Sequence, residues 1–120
     1  MNKQATIHQW LNGFMAAYPA TAVPTDAEFP YMTYSLTYGA WAEGEQVCQL
    51  NAYFQTESEA VANGLCAQLS EAIGFGGVTL KCDSGTIWVK RGEPFAQPMP
   101  DEPGIKHRLV NLTIEYMTLF

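Results

Sequence analysis

The sequence predicts an α+β domain in which a largely antiparallel sheet of four or five strands carries two helices on one face, in the order α-β-β-α-β-β-β. Three observations lead there. Residues 3–18 and 56–73 repeat apolar side chains at helical steps of three and four. The stretch from Pro30 to Thr56 alternates with a period of two on either side of an Ala42-Glu43-Gly44-Glu45 turn, the pattern of a β-hairpin. Finally, a chain of 120 residues without an internal repeat or a linker fits one domain, 1–120. At that length folding buries roughly two thirds of the surface that the unfolded chain exposes.

In the first helix, expected over Lys3–Tyr18, Ile7, Trp10, Leu11, Phe14, Met15 and Tyr18 form one stripe, and Pro19 ends it. His8 lies beside the stripe and reads as a surface or packing residue. Residues 19–30 contain Pro19, Pro24 and Pro30 and read as an ordered connection. In the hairpin, Met32, Tyr34, Leu36 and Tyr38 share a face with Cys48, Leu50, Ala52 and Phe54 and are expected to enter the core. The other face carries Tyr31, Thr33, Ser35 and Thr37 on one strand and Gln49, Asn51, Tyr53 and Gln55 on the next.

That second face has no charge. No Asp, Glu, Lys or Arg occurs in 31–42 or in 46–56, whereas a solvated surface carries about 25–35% of them. A surface of this kind suits contact with protein better than contact with bulk water.

The second helix is expected over Thr56–Ile73, with Thr56 as N-cap and Glu59 completing a capping box. Val61, Leu65, Leu69, Ala72 and Ile73 form its predicted buried stripe, Ala60, Ala62, Gly64 and Ala67 thin it for close packing, and Gly74 ends it. The Gly74-Phe75-Gly76-Gly77 run closes a helix instead of opening one, so it reads as a turn and not as a phosphate loop. Val78–Cys82 and Thr86–Lys90 then make a second hairpin about Asp83-Ser84-Gly85. Residues 92–107 hold Pro94, Pro98, Pro100 and Pro103 and read as a long loop in which Pro94, Phe95, Pro98, Met99 and Pro100 are candidates for docking on a partner. The last strand is expected over Arg108–Phe120. Its apolar end, Met117, Leu119 and Phe120, should pair within the sheet and be covered by another subunit.

Charge and cysteine usage narrow the functional classes. A net charge of −6 with six Lys and Arg in total opposes general binding to nucleic acid. Cys48, Cys66 and Cys82 are odd in number and widely spaced, so they read as reduced thiols and not as a disulfide framework or a zinc site. No apolar run approaches the ~20 residues of a membrane helix, and Met1-Asn2-Lys3-Gln4 lacks a signal-peptide core, so residence in a cytosol is expected. His107 has no neighbouring His or Cys to complete a metal site, and no catalytic, cofactor-binding or metal-binding set is assigned.

The order of elements, the Pro30-Tyr31-Met32-Thr33-Tyr34 start of the first strand, the hairpin leading into a capped helix and the closing strand at 108–120 together resemble the tail terminator or tail completion proteins of long-tailed bacteriophages and prophages. The resemblance covers nearly the whole chain. It implies a virion protein, assembled in the bacterial host cytoplasm, that forms a ring, typically of six subunits, between the tail tube protein and the head connector proteins. It also implies that the chain is not an enzyme and takes no cofactor. Two other readings stand beside it. One is another head-tail connection or minor capsid protein. The other is a small ligand-binding or enzymatic α+β domain that uses Cys82, Asp83, Ser84 and His107 near one sheet end.

Overall fold

The computed structural model describes residues 1–120 as two helices and six strands. In chain order these are α1 (Lys3–Asn12), β1 (Ala16–Pro19), β2 (Tyr31–Leu36), β3 (Glu45–Gln55), α2 (Glu59–Ile73), β4 (Val78–Cys82), β5 (Gly85–Met99) and β6 (Ile105–Thr118). The strands form one mixed sheet in the order β1-β2-β3-β6-β5-β4. The α+β class is as expected, but the sheet has a sixth strand, and one of its pairings is parallel.

That strand comes from the end of the predicted first helix. Asn2 caps α1 by accepting a hydrogen bond from the Ala5 amide at 2.7 Å, but the helix stops at Asn12 and not at Tyr18. The Asn12 side chain accepts from the Ala17 amide at 3.1 Å, which holds the chain as it leaves the helix. Ala16–Pro19 then pairs in parallel with Tyr31–Tyr34. Residues 14–18 are apolar throughout, so they satisfy either period. The ladder to β2 decides between them, because it satisfies backbone groups along β1. Pro19 fits there because β1 is an edge strand.

The central hairpin keeps its predicted facing but not its length. Met32, Tyr34, Cys48, Leu50, Ala52 and Phe54 are buried, and Tyr34 stands opposite Leu50 as alternation requires. However, β2 ends at Leu36. Tyr38 is exposed instead of facing the core, and Thr37 lies outside the strand. The chain instead makes an excursion in which the Trp41 amide donates to Thr118 O at 2.8 Å.

α2 begins two residues later than predicted. Its N-cap is Ser58, whose hydroxyl accepts from the Ala60 amide at 3.2 Å. Thr56 is tied elsewhere: its hydroxyl accepts from Ser58 N at 3.0 Å, and its own amide donates to Gly104 O at 2.9 Å. Glu59 pairs with Arg108 and does not close a capping box. The buried stripe is Ala62, Leu65, Leu69 and Ile73. Val61 and Ala72 therefore lie outside it, and Ala60, Gly64 and Ala67 are also exposed.

The expected loop over 92–107 is mostly strand. β5 continues to Met99, and only residues 100–104 connect it to β6. Pairing slips between Arg91–Leu112 and Ala96–Val110, a bulge that takes up the extra residues of β5. Gly92 sits at the bulge, where a Cβ would lie 2.9 Å from Asn111 O. β4 reaches only to Val89, so β5 beyond it is a free edge. A strand edge tolerates Pro94 and Pro98 because it has no ladder bond to lose there, and prolines also discourage edge-to-edge aggregation.

β6 runs between β3 and β5 and is the centre of the sheet. Its side chains Val110, Leu112, Ile114 and Tyr116 join residues of both helices in one core cluster, so both helices cover the same face. α2 lies against β3, β5 and β6, while α1 touches the two edge strands β1 and β4. One helix can reach both edges only if the sheet curls around it.

Candidate assembly face

No helix covers the other face of the sheet. Cross-strand pairing arranges it in rows. Tyr31 stands opposite Tyr53, and Tyr53 opposite His107, which in turn faces Met99. The next row is Thr33, Asn51, Leu109 and Gln97, and the third is Ser35, Gln49 and Asn111. These rows hold aromatic, amide, hydroxyl and apolar groups but no carboxylate, ammonium or guanidinium.

Neighbouring strands fix these side chains in place. The Tyr53 ring stacks on His107 with centroids 4.5 Å apart, Tyr31 lies 5.2 Å from Tyr53, and Phe29 lies 5.4 Å from Tyr31. Such ring pairs contribute about 0.5–1.5 kcal/mol each beyond their buried area. Asn111 Nδ2 donates to Pro94 O at 2.9 Å, which ties the bulge of β5 to the face.

His107 Nε2 lies 2.8 Å from Asn51 Oδ1, an acceptor, so Nε2 carries a proton and donates. Its Nδ1 lies 3.6 Å from an Asp101 carboxylate oxygen. Burial lowers the His107 pKa below its ordinary value, and the Asp101 charge only partly offsets this. Burial likewise raises the pKa of Tyr53.

Apart from the Asp101 carboxylate beside His107, charge on this face is gathered at the other end. Lys90 Nζ contacts Glu45 at 2.6 Å and Glu115 at 4.0 Å and lies 4.1 Å from the Trp88 ring centroid. The face is thus divided into a network of opposite charges and an uncharged zone.

Of the residues that the sequence singles out, Tyr31, Thr33, Ser35, Gln49, Asn51, Tyr53 and Gln55 lie on the outer face of β2 and β3. Thr37 does not, because β2 has already ended. Met117 is on the same face at the charged end, opposite Thr86. Leu119 and Phe120 project beyond β6 and are exposed; they are not strand residues, although the Leu119 amide donates to Ser84 O at 3.0 Å. Of the supposed docking loop, Pro94, Phe95, Pro98 and Met99 belong to β5, and Pro100 opens the short turn. Sequence reasoning missed His107, Leu109 and Gln97 on this face. Extending the alternation of β6 back from Asn111 would have found the first two.

The structure separates the candidate catalytic group. Ser84 adjoins the Gly85–Thr118 pair, whereas His107 lies eleven positions earlier on β6, about 35 Å away along a strand. Cys82 and Ser84 are neighbours, with Sγ and Oγ 3.8 Å apart, but no histidine joins them through this strand. His8 is occupied with the Tyr34 hydroxyl at 2.9 Å. Burial raises the Cys48 thiol to about 12, far from thiolate chemistry at neutral pH. No group of three or more His, Cys, Asp or Glu side chains converges to hold a metal ion. No helix is long and apolar enough to cross a membrane.

No protein-family model matches the chain, and a search of curated proteins finds no match.

Proposed function

We propose that this chain is a virion structural protein of the tail terminator or tail completion type, which assembles with copies of itself into a ring at the head-proximal end of a phage or prophage tail. On this reading it is not an enzyme and needs no cofactor. Its partners are further copies of itself, the tail tube protein and the head connector proteins, and it resides in the virion after assembly in the bacterial host cytoplasm. The resemblance of the chain to that family implies six subunits in the ring.

The observation that carries the reading is the uncovered sheet face, with three successive cross-strand rows free of carboxylate, ammonium and guanidinium groups. Water does not require such a surface, and a protein partner tolerates it, because uncharged amides and aromatic rings can be buried without stranding a charge. The network about Lys90 at the far end limits where a partner can seat. The test is size exclusion with light scattering, followed by negative-stain imaging with and without tail tubes. Rings that cap tubes are expected. A strict monomer that ignores tubes at high concentration would overturn the proposal.

A further inference from the structure

The chain contains two Asn-Gly pairs, Asn12-Gly13 and Asn63-Gly64. Each is a latent acid. The backbone nitrogen of the second residue can attack the side-chain Cγ of the first, and glycine, which has no Cβ, leaves that approach open. The fold treats the two pairs differently.

Asn12 is the last residue of α1, and Asn12 and Gly13 are both exposed. The Gly13 amide is held by a turn bond to Trp10 O at 3.2 Å, and the Phe14 amide by a similar bond to Leu11 O at 3.0 Å. A helix end of this kind opens locally at little cost in free energy. The group to be attacked is also prepared. Ala17 N donates to Asn12 Oδ1 at 3.1 Å, and a donor there favours the negative charge that Oδ1 gains when Cγ is attacked.

Asn63 has a comparable donor, Arg108 Nη2 at 3.1 Å. Its backbone makes the difference. Gly64 lies inside α2 between the buried Ala62 and Leu65, so freeing its amide breaks the helical ladder and disturbs the core.

We infer that Asn12 is a site of spontaneous deamidation in the folded chain and that α2 keeps Asn63 from the same reaction. The Gly13 amide gives its proton to solvent base, and its nitrogen bonds to Asn12 Cγ. The Cγ–Nδ2 bond then breaks, and ammonia leaves with a proton taken from water. The five-membered imide that remains takes up one water. Opening at Cγ gives aspartate, and opening at the main-chain carbonyl gives isoaspartate, in which the backbone runs through Cβ and Cγ. No electrons are gained or lost, and either product adds one negative charge to the net −6 of the chain.

The consequence falls on β1. Isoaspartate displaces the acceptor that holds Ala17 and lengthens the path from α1 into the strand, which has β2 as its only sheet neighbour. Tyr18 follows Ala17 and packs on Tyr31 with ring centroids 6.2 Å apart, so the loosened strand borders the uncharged face.

The test ages the unaltered chain in warm, mildly alkaline buffer beside a second sample unfolded in urea. Mass spectrometry of peptides follows each asparagine, and isoaspartyl methyltransferase reports isoaspartate. In the folded chain Asn12 should convert faster than Asn63 by about tenfold or more, and in urea the two should convert at similar rates. Ion exchange should resolve the aged folded chain as a more acidic species with a lower melting temperature. Equal rates in the folded chain overturn the protection by α2, and conversion of Asn12 in urea alone overturns the site. An acidic species that melts with the fresh chain overturns the loosening of β1.

Discussion

Arg108 donates through Nη2 to the Glu59 carboxylate, and the pair joins the central strand β6 to the first turn of α2. The guanidinium is 4% exposed and is the only charged side chain among the buried residues. Asn63 Oδ1 and His107 O accept its remaining bonds at 3.1 and 3.3 Å. Glu59 itself is largely exposed, so the buried cation meets solvent through its partner.

The hydrogen bond to Arg108 holds the Glu59 pKa below its ordinary 4.5. A depressed carboxylate pKa gives stability that is complete above the unfolded value and is lost as pH falls through the folded one. Thermal melting should therefore show a stability loss below pH 4.5 that Glu59→Gln diminishes. Replacing the whole pair, Arg108→Met together with Glu59→Met, should be neutral or stabilising by about 1–4 kcal/mol.

His107 titrates in a different window. Its folded pKa lies below the ordinary 6.5, so the folded chain prefers the neutral ring, and stability rises with pH between the folded value and 6.5. Melting temperatures of the unaltered chain should fall on acidification through that interval. His107→Gln keeps a donor for Asn51 without titrating, and its melting temperature should stay level there.

Replacing Thr33 or Asn51 by Lys adds a charge to an uncharged row without changing the core. Thr33→Lys should melt within about 0.5 kcal/mol of the unaltered chain, as surface changes do, and Asn51→Lys, which also removes the acceptor of His107 Nε2, should lose about 1–3 kcal/mol, while ring formation falls in both. Unchanged ring yield in both, measured by light scattering, would make this face ordinary surface.

The turn between β4 and β5 requires glycine. Gly85 has φ +149°, and a Cβ there would lie 2.2 Å from Met117 O. Gly85→Ala should cost more than about 1 kcal/mol in denaturant unfolding. Ser58→Ala should cost about 0.5–2 kcal/mol as loss of the true N-cap.

Much of the fold was legible because alternation is a local signal. The facing of β3 and β6 could be read residue by residue, since a sheet buried on one side gives every second position to the core. The end of α1 could not, because residues 14–18 are apolar at both periods and their partner strand lies beyond a connection of about a dozen residues. The capping residue was displaced for a similar reason: Glu59 has a partner forty-nine positions away that no local pattern announces. Prolines in 92–103 signalled a loop, but an edge strand accepts them equally well, and edge status depends on where β4 stops.

The sequence by itself determined the α+β class, the apolar sides of both helices in outline, the facing of the central strands and the lack of charge on their outer side. These properties belong to single segments and follow from period and composition. The tertiary structure decided the sixth strand, the continuation of β5, the burial of Arg108 and the distance between Ser84 and His107. Each of these depends on which distant segments pair, and a one-dimensional pattern does not encode the register of that pairing.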